Sequence, residues 1–143
     1  FEFKTILENS RFSYFGMGPD ENYADMRAFA RMGLFHSAAA DEYVNYVKPQ
    51  EHGNHTNTKE LAFNNGLTLT GDGFEFNVSE FDALDLSQAG HIDELCKNGA
   101  VNVRIDYKVS GIGSNSCGPA LLERYRLKEK QIEFAFSFGL TKE

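Results

Sequence analysis

A chain of 143 residues is the length of one domain, taken as residues 1–143 without an internal boundary. Its 14 Lys and Arg against 21 Asp and Glu give a net charge of −7, which leaves no basic field to neutralise a phosphate backbone and excludes a general nucleic-acid binder. Hydrophobic residues at 41%, with 13 Phe among them, supply a core and exclude a disordered tail, while no apolar run approaches the roughly 20 residues of a membrane span.

Period-two alternation dominates the chain and predicts an all-β fold. The segment from Phe1 to Leu7 reads as a strand that begins inside an element, as expected of a processed or excised piece. Arg11 to Phe15 is a second strand. Glu21 to Met32 places Tyr23, Met26, Phe29 and Ala30 at three- and four-residue spacing, which predicts a helix stopped by Gly33. Strands are expected next at Tyr43 to Val47 and Lys59 to Phe63. Leu67 to Leu69 and Phe74 to Val78 read as a hairpin turned at Thr70-Gly71-Asp72-Gly73. Ser79-Glu80-Phe81-Asp82 has capping-box spacing and predicts a short helix ending before Gly90. Val101, Val103, Ile105 and Tyr107 share one face of a strand whose other face is polar. After a further strand at Leu121 to Leu127, Ile132, Phe134, Phe136 and Phe138 define a carboxyl-terminal strand with a bulky aromatic inner face, whose removal is expected to destroy the core.

Three loops carry candidate chemistry. Gly16-Met17-Gly18-Pro19-Asp20-Glu21-Asn22-Tyr23 lacks the Gly-Lys-Ser/Thr ending and the third glycine of nucleotide loops, and so reads as a strand-to-helix turn. In Tyr46 to His55, Glu51, His52 and His55 offer metal-ligand chemistry, but Gly53 and the spacing oppose the helical metalloprotease pattern, and no metal site is expected. The planar amides and carboxylates of Gln50, Glu51 and Asn54 suit sugar hydroxyls or a neighbouring domain equally well. Gly111 to Pro119 is small, polar and able to approach a ligand closely. Within it, Cys117 has only His91 as a partner outside the amino-terminal half for a Cys–His dyad. Among 21 acidic residues no pair is marked as a glycosidase acid and nucleophile, and Asp106 is the best single candidate. Two sequons, Asn54-His55-Thr56 and Asn77-Val78-Ser79, matter only in a eukaryotic secretory setting.

Taken in order, four segments resemble the carboxyl-terminal, small-chain domain of the large bacterial β-galactosidases of glycoside hydrolase family 2. Gly16 to Tyr23 with Asp25 and Arg27 is similar to that family's Gly-x-Gly-Pro-x-Glu-x-Tyr-x-Asp-Arg run, with Met26 inserted before the Arg. Tyr46 to Asn54 resembles its Tyr-Val-x-Pro-Gln-Glu-Asn-Gly-Asn segment, with His52 as a departure. His91 with Glu94-Leu95 matches a His-x-x-Glu-Leu element, and Asp106 to Gly118 matches the Asp-x-x-x-x-Gly-Ile-Gly loop together with its continuation.

The resemblance implies a β-sandwich of the galactose-mutarotase-like supersandwich type, with one or two short helices. It also implies that the catalytic glutamates lie on a separate barrel domain, so that this chain alone is inactive and needs no cofactor. The expected partners are that catalytic barrel and a galactoside, with no nucleic acid and no membrane, in a soluble protein of the bacterial cytoplasm or periplasm. Ser114, Asn115, Ser116, Cys117 and Gly118 form the expected substrate-site loop, a shape-forming wall rather than a stacking platform because the chain has no Trp. Gln50, Glu51, Asn54 and His91 are the expected sugar or domain contacts. Two other readings of the residues are a stand-alone carbohydrate-binding module and a mutarotase-like epimerase using His91.

Overall fold

The computed structural model describes residues 1–6, 10–111 and 120–140. Among these residues, seven strands form one antiparallel sheet: β1 (Glu2–Thr5), β2 (Arg11–Gly18), β3 (Arg31–Ala38), β4 (His55–Phe63), β5 (Leu67–Ser79), β6 (Val101–Asp106) and β7 (Phe136–Leu140). The order is β1-β6-β5-β4-β2-β3, with β7 also on β5. This is the all-β class expected from the alternation, and it is consistent with a β-sandwich. The one α-helix among the described residues, α1 (Ala83–Gln88), is short.

β5 is the spine of the sheet. Thr70 pairs with Glu60 of β4 on one side and Ser137 of β7 on the other, while Phe76 pairs with His55 of β4 and Ile105 of β6. β7 and β6 therefore lie end to end along one edge of β5, opposite β4. Cross-strand neighbours on the inner face build the core: Tyr14 beside Leu61, Leu61 beside Leu69, Phe12 beside Phe63 and Val78 beside Val103. Full burial of each such side chain contributes roughly 1.5–3 kcal/mol. Phe12, Tyr14, Phe76 and His55 close the centre with ring centroids 4.5 to 6.2 Å apart.

Several expected elements differ. No helix forms over 21–32. Tyr23 and Met26 exchange two backbone hydrogen bonds of 3.0 Å, Arg27 turns the chain to Ala30, and β3 starts at Arg31. Gly33, the expected stop, lies in mid-strand opposite Gly16. The expected hairpin at 70–73 is one uninterrupted strand. Between the pairs Glu60↔Thr70 and Thr58↔Phe74, β5 spends four residues where β4 spends two, so the glycines absorb a bulge instead of a chain reversal. Gly73 has φ +92°, and a Cβ there would stand 2.8 Å from the Asn57 Oδ1 of the facing strand.

Tyr43 to Val47 is not a strand, and the Tyr46 N–H turns back to the Val44 carbonyl at 3.0 Å. The cap of α1 is Asp82, whose Oδ1 accepts from the Leu84 N–H at 2.9 Å, while Ser79 Oγ accepts from the Phe81 N–H one turn earlier. Leu121 to Leu127 holds a single 3-10 turn, Glu123–Tyr125, in place of a strand. β7 begins at Phe136, later than expected, and its aromatic face is largely open. Phe138 is 53% exposed and Phe134 37%, with only Phe136 packed on the core among the three.

Candidate functional site

The first two loops singled out by the sequence, and the residues that lead into the third as far as Gly111, come together over the polar side of β5 and β6. Asn22 is fully buried and organises the first loop. Its Nδ2 donates to the Met17 and Asp20 carbonyls at 2.9 and 3.0 Å, and its Oδ1 accepts from the Thr56 N–H at 3.0 Å and the Thr56 hydroxyl at 2.6 Å. The Asn22 N–H donates to the Asn54 carbonyl at 2.7 Å. Asn54 in turn donates from Nδ2 to the Asn22 carbonyl and to Glu75 Oε2, both at 3.0 Å.

Glu75 Oε2 also accepts from the Val109 N–H at 2.9 Å, which ties the start of the third loop to the other two. Two residues on, buried Gly111 meets Asp25, and a Cβ at position 111 would lie 2.3 Å from that carboxyl group. Glu21 completes the lacing. Its Oε2 accepts from the Gly53 N–H at 2.8 Å and its Oε1 from the Tyr46 hydroxyl. Gly53 has φ +70°, and a Cβ would stand 2.9 Å from the Glu42 carbonyl oxygen, so glycine is required at this close approach.

Glu21, Glu42, Glu51 and Glu75 are each engaged by protein groups. Glu75 and Asp106 are partners across β5 and β6, so the best single acidic candidate has a neighbour. Burial pushes the Glu75 carboxyl above its ordinary value, against the hydrogen bonds from Asn54 and Val109, and the Asp106 charge pushes the same way. Burial also raises Glu51, against the Arg104 guanidinium at 3.0 Å. Burial lowers His52, whose Nδ1 faces the Gln50 carbonyl at 2.8 Å. His55 Nε2 stands 2.7 Å from Glu42 Oε2, and the other oxygen of that carboxylate accepts from the Ser37 hydroxyl. Glu51, His52 and His55 thus each face a different partner. Among the described residues no group of three or more His, Cys, Asp or Glu stands together as a metal site.

Gln50 and Glu51 line one cleft of about 290 Å³ with Lys48, Arg104 and residues of α1. Asn54 is fully buried inside the network, and His91 lies exposed at the start of the 3-10 turn Ile92–Glu94 without a side-chain cap bond. Ser114, Asn115, Ser116, Cys117 and Gly118 lie outside the described residues. Both sequon asparagines are buried, Asn77 donating to the His52 carbonyl, so the folded chain offers neither to a glycan. Sequence reasoning missed Asn22 and Glu75 as the organising pair. The signal available was a polar residue at Glu75, between Phe74 and Phe76 of a strand buried on both sides. Among the described residues no helix is long and apolar enough to cross a membrane.

A single antiparallel sheet with polar loops laced over one side defines a β domain whose loop roots are held by buried side chains. The chain belongs to the beta galactosidase small chain family, whose model matches residues 1–140. It is 40% identical over 129 residues to a β-galactosidase of Actinobacillus pleuropneumoniae, covering 90% of this chain and 13% of that protein. It is 36% identical over 132 residues to a β-galactosidase of Kluyveromyces lactis, again covering 90% of this chain and 13% of that protein. A third relative, the β-galactosidase of Staphylococcus xylosus, is 36% identical over 128 residues, 87% of this chain and 13% of that protein. The chain therefore spans about an eighth of the length of these relatives (13%).

Proposed function

We propose that this domain serves a β-galactosidase as a non-catalytic wall, shaping the galactoside site beside a catalytic barrel carried elsewhere in the parent protein. The observation that supports this reading is the bracing of one loop root. Val109 is pinned by Glu75 and Gly111 is pressed against Asp25, so the chain enters the segment containing Ser114, Asn115, Ser116, Cys117 and Gly118 from a fixed position. A wall needs that kind of preorganisation, because a displacement of about 1 Å far from the reacting bond can cost about a hundredfold in rate. Gln50, Glu51 and His91 are the side chains this reading places against barrel or sugar, while Asn54 is tied to Asn22 and Glu75 inside the network.

The reading is tested with a chromogenic β-galactoside, using the isolated chain and the chain joined to its parent barrel. The isolated chain is expected to be inactive, and turnover by it alone would overturn the proposal. In the joined protein, Gly111→Ala is expected to raise KM more than it lowers kcat, because it moves a wall and leaves the reacting groups alone. An unchanged KM in a folded Gly111→Ala enzyme would equally count against a wall role.

A further inference from the structure

A cavity of about 500 Å³ opens where the segment around Arg27, the end of β6 and the 3-10 turn Glu123–Tyr125 meet. Four cationic side chains line it, Arg27, Lys108, Arg124 and Arg126, in a chain whose net charge is −7. The carboxylate lining it among the described residues is Glu75, with Oε2 already accepting from Asn54 and Val109.

Two of the cations are paired. Lys108 Nζ lies 2.9 Å from Glu129, and Arg126 Nη1 lies 3.2 Å from Glu123 while its Nε donates to the Leu121 carbonyl. The other two are not. Arg124 lies over the Tyr125 ring, 4.7 Å from its centroid, with no carboxylate partner among the described residues. Arg27 likewise makes no ion pair among them, and meets Glu75 only as a neighbouring charge. Two guanidinium groups from distant parts of the chain thus border one opening, each with planar N–H donors to spare. The remaining lining is apolar or aromatic, from Ala24, Val109, Tyr125 and Leu127.

We infer that this cavity binds a small organic oxyanion, a carboxylate or phosphate group carried on an apolar or ring-shaped body. Arg27 and Arg124 take the charged head in bidentate hydrogen bonds, and the ring of Tyr125 with Val109 and Leu127 takes the body. The overall negative charge of the chain works against general anion adsorption, so saturable uptake marks a site. This assignment does not depend on the domain standing beside a catalytic barrel.

The test is calorimetric titration of the full chain with phenyl phosphate, benzoate and uncharged benzyl alcohol, in the wild type and in Arg27→Gln, Arg124→Gln and Arg31→Gln variants. Saturable binding of the two anions and none of the alcohol is expected. Arg27→Gln and Arg124→Gln each weaken binding about tenfold or more, as loss of a charge-assisted hydrogen bond does, and Arg31→Gln leaves it unchanged. Arg27→Lys, which keeps the charge and loses the fork, falls between, and its thermal unfolding confirms an intact fold. Failure of both anions to saturate, equal binding of benzyl alcohol, or retained affinity in the folded Arg27 and Arg124 variants would overturn the inference. These outcomes leave the hydrolysis assay of the wall proposal untouched, so the two stand or fall separately.

Discussion

Asn22 holds Thr56 twice, its Oδ1 taking both the backbone N–H and the hydroxyl of a residue 34 positions away at 3.0 and 2.6 Å. The same side chain spends its amide on the carbonyls of Met17 and Asp20, so both halves of the group are committed in opposite senses. Aspartate keeps the acceptor half and turns the donor half into an oxygen facing two carbonyl oxygens. Asn22→Asp is therefore expected to lose about 3 kcal/mol or more, because it buries a charge against acceptors. Denaturant unfolding checks this, and a loss below about 1 kcal/mol would contradict the double role assigned to the amide.

Gly53 and Gly99 share the left-handed backbone region, at φ +70° and +76°, but not their surroundings. A Cβ at Gly53 meets the Glu42 carbonyl at 2.9 Å, whereas at Gly99 nothing lies within 4 Å. Gly99→Ala should cost about 1 kcal/mol, the backbone strain alone. Gly53→Ala adds a clash with main chain that cannot move without pulling on the Glu42–His55 pair, and should cost about 2–3 kcal/mol. Comparing the two variants by thermal unfolding isolates the steric part.

The all-β class and β6 were legible because Val101, Val103 and Ile105 face the core while Asn102 and Arg104 oppose them, a strand with ordinary polarity. β3 was not. Its inward positions are Gly33, Phe35 and Ser37, while Met32 and Leu34 point outward, Leu34 at 63% exposure, so the apolar pattern runs against the burial. The helix expected over 21–32 failed for a related reason. Tyr23, Met26 and Phe29 have helical spacing, but Asn22 captures the chain by four hydrogen bonds before a helix can start. The loops of the candidate site were visible as polar segments. Their lacing was not, because it depends on Glu75, which enters from a strand that sequence alone divides in two at the glycine bulge.

Thr58 is buried in β4, and its Oγ1 has no hydrogen-bond partner among the described residues. Folding strips water from that hydroxyl without replacing it, a cost of about 1–3 kcal/mol. Valine has the same branched shape and no such group, and it suits the strand equally well. Thr58→Val is expected to stabilise the domain by about 1 kcal/mol, read as a higher denaturant midpoint at unchanged slope. A lower midpoint would show that the hydroxyl is satisfied in solution.

Glu75 makes the stability of the domain depend on pH in a direction opposite to that of a surface carboxylate. Burial raises its pKa in the folded chain above the ordinary 4.5, so between those two values the folded state binds a proton that the unfolded chain has released. Its contribution is then fully present below the unfolded value and is lost as pH rises through the folded one. In Glu75→Gln the amide oxygen still accepts from Asn54 and Val109, and the side chain has nothing to titrate. The stability difference between Glu75→Gln and wild type should therefore move in favour of glutamine as pH rises from about 4 to about 8. Glu51, raised by burial as well, and His52, lowered by it, are present in both proteins and cancel in that difference. Urea unfolding of both proteins across this range provides the measurement. A difference that stays flat, or moves toward glutamate with rising pH, would show that the Asn54 and Val109 hydrogen bonds outweigh desolvation at this carboxyl.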